Sequence, residues 1–172
     1  KATALNTFTL VDSNGAEIGT LDTDYIVADT LVHIVSSEAG ALVRFNGGVK
    51  TPQVNADEAG YHLQFAGSGT NVGTDMSSDY LSAILRNTGE AIFGDGNNDI
   101  LLFRNGVEVF AASSVELYGS IYTHAAPVTL GDGDTPTNLR IHRSIIDTTS
   151  AGLYPMGDTI TFGGVLEGGT AL

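Results

Sequence analysis

The stretch Ala83-Ile84-Leu85-Arg86-Asn87-Thr88-Gly89-Glu90-Ala91-Ile92-Phe93 sets two short apolar runs on either side of an Asn-x-Gly turn. Leu101-Leu102-Phe103-Arg104-Asn105-Gly106-Val107-Glu108-Val109-Phe110 repeats the arrangement around a bare Asn-Gly. Two further copies are Phe8-Thr9-Leu10-Val11, which passes through Asp12 to Gly15 into Ala16-Glu17-Ile18, and Ala41 to Phe45, which passes through Asn46-Gly47-Gly48 to Val49. Asn and Gly accept the positive φ that primed turns require, so the four segments predict β-hairpins. Arg44, Arg86 and Arg104 each stand just before the loop, with Glu90 and Glu108 shortly after two of them. With Asn87 to Gly89 as the loop, Arg86 and Glu90 face each other across the hairpin, a pairing that sets strand register rather than chemistry.

A second echo runs at longer range. Ile92-Phe93-Gly94-Asp95-Gly96 resembles Thr129-Leu130-Gly131-Asp132-Gly133, and Gln64-Phe65-Ala66-Gly67-Ser68-Gly69 is a fainter third copy. Copies at uneven spacing predict β units stacked along an axis rather than a solenoid of fixed period. Helical spacing is confined to Asp75 to Arg86, where Met76, Tyr80, Leu81, Ile84 and Leu85 can share a face behind Ser77 or Ser78 as N-cap. That reading competes with Ala83 to Arg86 as a strand. The Gly, Ser, Thr and Asn run over 68–75 predicts a junction between an N-terminal β region, 1–67, and a C-terminal β region, 76–172, unless the two form one continuous domain. Residues 162–170 read as a strand fading into a Gly-rich tail whose apolar side chains want a partner.

Composition points the same way. The chain has 172 residues, 20 acidic against 7 basic side chains and a formal charge of −13, and only 16% of its residues are charged. Gly, Thr, Ser, Asn and Asp supply the polar surface instead, and 22 glycines fit a β protein with many tight turns. Apolar runs spread along the chain argue for a folded core. Seven scattered cations leave no basic stripe for a phosphate backbone, which argues against nucleic acid as a partner. The apolar runs are far too short for a membrane-spanning helix. No cysteine is present, so disulfides, thiol catalysis and thiolate zinc sites are out. The chain opens on Lys1 rather than Met, and the expectation is a start after something was removed.

Few residues carry chemistry. Gly94-Asp95-Gly96-Asn97-Asn98-Asp99-Ile100 resembles a calcium loop, yet an EF-type loop wants Gly at Ile100 and Glu at Gly106, and the glycine-rich nonapeptide wants Asp at Asn98. Asp95, Asp99, Asp132 and Asp134 are thus secondary Ca²⁺ candidates, and turn shaping is the stronger reading; no cofactor is expected. His33, His62, His124 and His142 form no H-x-H or H-x-x-x-H pair, which disfavours zinc. Alternation places Arg140 and His142 on one strand face opposite Ile141, and His142 reads as a surface or interface residue. A nucleophile elbow and a phosphate cradle are both missing from the sequence, and no Trp stands ready to stack on a sugar, so the expectation is a protein that is not an enzyme. Recognition, if loops carry it, falls to Asn46, Gly47, Asn97, Asn98, Thr135 and Asn138.

The runs Ala83 to Phe93 and Leu102 to Val109 resemble the repeated β units of bacteriophage tail fibres, spikes and related virion decoration proteins, over about residues 40 to 145. The resemblance implies an all-β fold of hairpin-rich, elongated β-sandwich or β-prism-like units with at most one short helix, assembled as a homotrimer. It further implies a structural or attachment role in a virion or outside the cell, contacts with other virion proteins, and binding of a host-surface glycan or protein without membrane insertion. Two alternatives are an extracellular glycan-binding β module, aided by Ca²⁺, and a subunit of a secreted filament that adds a strand to its neighbour.

Overall fold

A computed structural model describes residues 7–9, 20–23, 26–27, 31–35, 39–45, 49–66, 82–134, 137–149, 152–153 and 155–167. Among them the protein is all-β and elongated, a β-solenoid without helix. The first coil holds β1 (Thr7–Thr9), β2 (Thr20–Thr23) and β3 (Ile26–Val27); the second holds β4 (Leu31–Ile34), β5 (Leu42–Phe45) and β6 (Val49–Lys50). The third contributes β7 (Gln53–Ala56) and β8 (His62–Phe65), the fourth β9 (Ser82–Leu85), β10 (Glu90–Phe93) and β11 (Ile100–Leu102). β12 (Val107–Val109), β13 (Ser114–Leu117) and β14 (Ser120–Tyr122) form the fifth, and β15 (Val128–Leu130), β16 (Asn138–Ile141) and β17 (Ile146–Asp147) the sixth. β18 (Ile160–Phe162) and β19 (Val165–Glu167) close the series.

The first strand of every coil joins one seven-stranded parallel sheet and the second strand joins another, with shorter rows made of β3 and β6 and of β11, β14 and β17. Register is kept throughout. In the first sheet Val32, Val54, Ala83, Val107, Val128 and Ile160 stand over one another, and in the second Val43, Leu63, Ala91, Val115, Leu139 and Leu166 do so. Strand residues alternate buried and half-buried because neighbours in a strand point to opposite faces. Phe45, Phe65 and Phe93 fall in one inward column, with ring centroids 5.3 and 5.9 Å apart, and Phe103 meets Phe65 and Phe93 edge-on. These offset and T-shaped arrangements are the ones aromatic quadrupoles favour.

The expected hairpins are corners instead. β9 pairs with β7 and β12, and β10 with β8 and β13, so the runs flanking Asn87-Thr88-Gly89 never pair with each other. β11 pairs with β14, not β12, and β5 with β2 and β8, not β6. β1 pairs in parallel with β4, while 10–19 and 46–48 lie outside the described residues. Strands this short bury little as isolated ribbons, whereas stacking like on like buries every inward side chain between coils. The Asn and Gly residues keep their turn role in a new setting. Asn87 is buried, and its Nδ2 donates to Tyr61 O at 3.2 Å and Glu90 O at 3.0 Å. A Cβ on Gly89 would sit 2.2 Å from Tyr61 O, so only glycine lets this corner rest on the coil before it. Gly106 has φ +97° and a Cβ there would meet Pro127 O at 2.5 Å.

The facing of Arg86 and Glu90 goes with the hairpin: the Arg86 guanidinium lies 5.2 Å from the Phe110 ring centre, and Glu90 Oε1 accepts from Ser114 Oγ. The long-range echo also splits. Phe93 continues in register to Leu117 of the second sheet, but Leu130 belongs to the first, so Gly94 and Gly131 turn different corners. The fainter copy is the true one, because Gln64 and Phe65 stand directly beside Ile92 and Phe93. Of the expected helix, Ser82–Leu85 is strand β9 and 75–81 lies outside the described residues, as does the expected junction at 68–75. Strands on its two sides pair directly, β7 with β9 and β8 with β10.

Candidate functional site

The outer face of the second sheet gathers polar side chains that are distant in sequence. Because outward positions stack as faithfully as inward ones, Arg44, Gln64, Ile92, Glu116, Arg140 and Glu167 form one column. Arg140 is its hub. The Nε donates to Glu167 Oε2 at 2.7 Å and Nη1 to Glu116 Oε1 at 3.2 Å, and these two carboxylates hold its pKa above the ordinary arginine value. The second oxygen of Glu116 accepts from the Tyr118 hydroxyl. That hydrogen bond, then burial and the Glu116 charge, pushes the Tyr118 pKa up. One coil on, the His142 ring stacks on Tyr118 with centroids 4.3 Å apart and planes 4° from parallel.

The remaining polar ladder is structural in character. Arg44 Nη2 reaches Asp95 Oδ2 at 3.0 Å, and Gln64 Nε2 donates to Gly94 O at 3.3 Å, tying the corner after β10 to earlier coils. His62 Nδ1 accepts from the Glu90 amide at 3.1 Å. On the first sheet, His33 Nε2 lies 2.8 Å from Asp57 Oδ1. His124 sits beside β14, where burial, aided by Arg104, lowers its pKa.

Comparison of the chain with protein-family models, with curated proteins and with solved structures finds no match in any of the three. The site is therefore read from its geometry.

The calcium candidates are placed as turn formers. Asp99 is buried, and its Oδ2 accepts from the amides of Asp95 at 2.7 Å and Gly96 at 2.8 Å, which closes the loop on itself. Asp95 turns outward to Arg44. Asp132 Oδ1 accepts from the Asp134 amide at 2.9 Å at the other corner, so the two aspartate pairs serve separate turns. Among the described residues no group of three His, Asp or Glu side chains is placed to hold a metal ion. Of the loop candidates, Asn97 and Asn98 are exposed at the tip of the turn between β10 and β11. Asn138 is exposed at the head of β16, in register with Ser114 and Val165. Asn46, Gly47 and Thr135 lie outside the described residues. Sequence reasoning placed Arg140 and His142 together on one face, and missed Glu116, Tyr118 and Glu167, whose neighbourhood depends on a register no local motif announces.

The last coil differs from the rest. Ile160 and Phe162 of β18 and Val165 and Leu166 of β19 are exposed, although the residues one coil earlier in three of these columns, Val128, Leu130 and Leu139, are buried. An open depression of about 450 Å³ lies there, lined by Asp134, Thr137, Phe162 and Val165 among others.

Proposed function

We propose that this chain is a non-enzymatic structural and attachment protein, of the kind that builds virion tail fibres, spikes or head decorations, and that it works as a homo-oligomer, a trimer, assembled through β-rich faces. The observation that carries the reading is an apolar cluster on β18 and β19: among the described residues of a solenoid with a stacked aromatic interior, Ile160, Phe162, Val165 and Leu166 are exposed. Exposed apolar clusters of this kind mark protein contacts. The resemblance of Ala83 to Phe93 and Leu102 to Val109 to phage fibre repeats supports the virion setting, and with it neighbouring virion proteins and an extracellular location. Light scattering coupled to size exclusion tests it. A mass of about three times 17.8 kDa is the expected result, and a monomer at every concentration overturns it.

A second reading, a glycan-binding β module, is favoured by the ledge of Glu116, Tyr118, Arg140 and His142, where an aromatic pair adjoins fixed donors and acceptors. It predicts glycan-array binding that survives dilution to monomer and is lost in Arg140→Ala.

A further inference from the structure

Away from β18 and β19, two large hydrophobic side chains among the described residues are exposed along one sheet, Ile100 at 44% and Ile145 at 55%. The sheet is the short one of β11, β14 and β17. Ile100 pairs with Ser120, and because Ile121 pairs with Ile146 and its amide donates to the Ile145 carbonyl at 2.8 Å, Ile145 stands next in the same column. The second column holds Leu102, Tyr122 and Asp147, of which Leu102 and Tyr122 are half-buried. Leu101 and Ile121, which lie between the columns, are fully buried, and Ile146 packs against the core. Both columns therefore belong to the outer face, since neighbours in a strand point to opposite sides.

This face is nearly free of charge. Asp147 is the one ionisable carboxylate or cation among the six positions, and its Oδ1 accepts from the Thr149 amide at 2.7 Å and the Thr149 hydroxyl at 2.6 Å. The other two sheets differ. Arg44, Glu90, Glu116, Arg140 and Glu167 stand on the outer face of the second, and His33 and Glu108 on that of the first. With a formal charge of −13, copies of the chain repel wherever carboxylates line their contact. A basic partner, drawn by that charge, would find nothing to answer it between Ile100 and Ile145. An equally uncharged apolar face does match, and the same face of another copy is one.

We infer that the outer face of β11, β14 and β17 is where copies meet, with three such faces packed around one axis parallel to the solenoid. This deepens the trimer reading above and rests on it. The strip is narrow, because strands of two or three residues span at most about 10 Å. It is also continuous, because successive strands repeat every ~4.8 Å along the solenoid. Three narrow strips can ring an axis and fill it with Ile100, Leu102, Tyr122 and Ile145, each copy touching both neighbours, and the ring closes at three. The charged outer face of the second sheet then looks away from the axis and stays in water.

Single substitutions and cross-linking of the full chain test the inference. Ile100→Asp and Ile145→Asp are each expected to raise the concentration at which the trimer half-dissociates by roughly tenfold or more, read by sedimentation equilibrium. Both side chains are exposed in the single chain, so far-UV circular dichroism is expected to stay unchanged. The chain has no cysteine, so one introduced thiol reports its own surroundings. Ile145→Cys treated with a short bismaleimide is expected to give covalently joined copies, whereas Asn138→Cys, exposed on the outer face of the second sheet, is expected to stay single. A trimer that survives both aspartate substitutions, or joins through residue 138 and not 145, overturns this face while leaving the trimer intact. A dimer joined through residue 145 overturns the threefold arrangement. An unaltered chain that is monomeric at every concentration overturns both the face and the trimer.

Discussion

Phe65→Ala strikes the middle of the aromatic column and measures what holds the coils together. Phe65 is fully buried, stacks on Phe45 at 5.3 Å and Phe93 at 5.9 Å, and meets the edge of Phe103 at 5.5 Å. Truncating a fully buried Phe costs about 3–5 kcal/mol, because transfer energy is lost and the cavity cannot collapse. The ring contacts beyond area add roughly 0.5–1.5 kcal/mol per pair. The neighbours are themselves rings fixed by strand register, so little relaxation is available, and the expected loss is at the upper end, about 5 kcal/mol. Phe162→Ala is the internal control. It holds the same kind of inward position on the last coil but is 43% exposed, so the transfer term is about half and no enclosed cavity forms; about 1 kcal/mol is expected. Urea unfolding followed by far-UV circular dichroism separates the two. A loss below about 1.5 kcal/mol for Phe65→Ala, or equal losses for both variants, refutes the claim that these rings stack between coils.

Asn87→Ala leaves the carbonyls of Tyr61 and Glu90 without their donor inside the corner and is expected to destabilise by roughly 1–3 kcal/mol in the same unfolding assay; a neutral result refutes the corner geometry. Tyr118 is expected to ionise above the ordinary tyrosine value of 10.0, read by ultraviolet absorbance, because its hydroxyl donates to Glu116. Since the folded pKa is raised, that interaction is fully present below pH 10 and fades only as pH climbs through the higher folded value; Glu116→Gln should bring the titration back toward 10.0. Chelator is expected to leave the melting temperature unchanged, because Asp99 spends an oxygen on the Asp95 and Gly96 amides; a drop on chelation would reopen Asp95, Asp99, Asp132 and Asp134 as ligands.

The candidate site was half legible. Alternation in Asn138-Leu139-Arg140-Ile141-His142 puts Arg140 and His142 on the outer face from local pattern alone, and β16 bears this out for Arg140. Glu116 and Glu167 lie on other coils, and nothing near them in the chain announces Arg140 as a partner. Their ion pairs exist because β13, β16 and β19 are held in one parallel register.

The sequence by itself determined that this chain is all-β, that its strands are short and alternate, and where several of them lie. Glu90–Phe93, Ile100–Leu102 and Val107–Val109 fall within runs visible in the primary structure, and Ser82–Leu85 overlaps the run Ala83 to Arg86. It also determined where the chain turns, since Asn87, Gly89 and Gly106 are needed whichever way the next strand goes. Only the tertiary structure decided the partners. An apolar run, an Asn-Gly turn and a second apolar run look the same whether the runs fold back on each other or pass round a corner to pair one coil away. Pairing is a non-local choice, made by the interior: parallel stacking places Phe45 beside Phe65 beside Phe93 and buries both faces of each ring, which no isolated hairpin of four-residue strands can do.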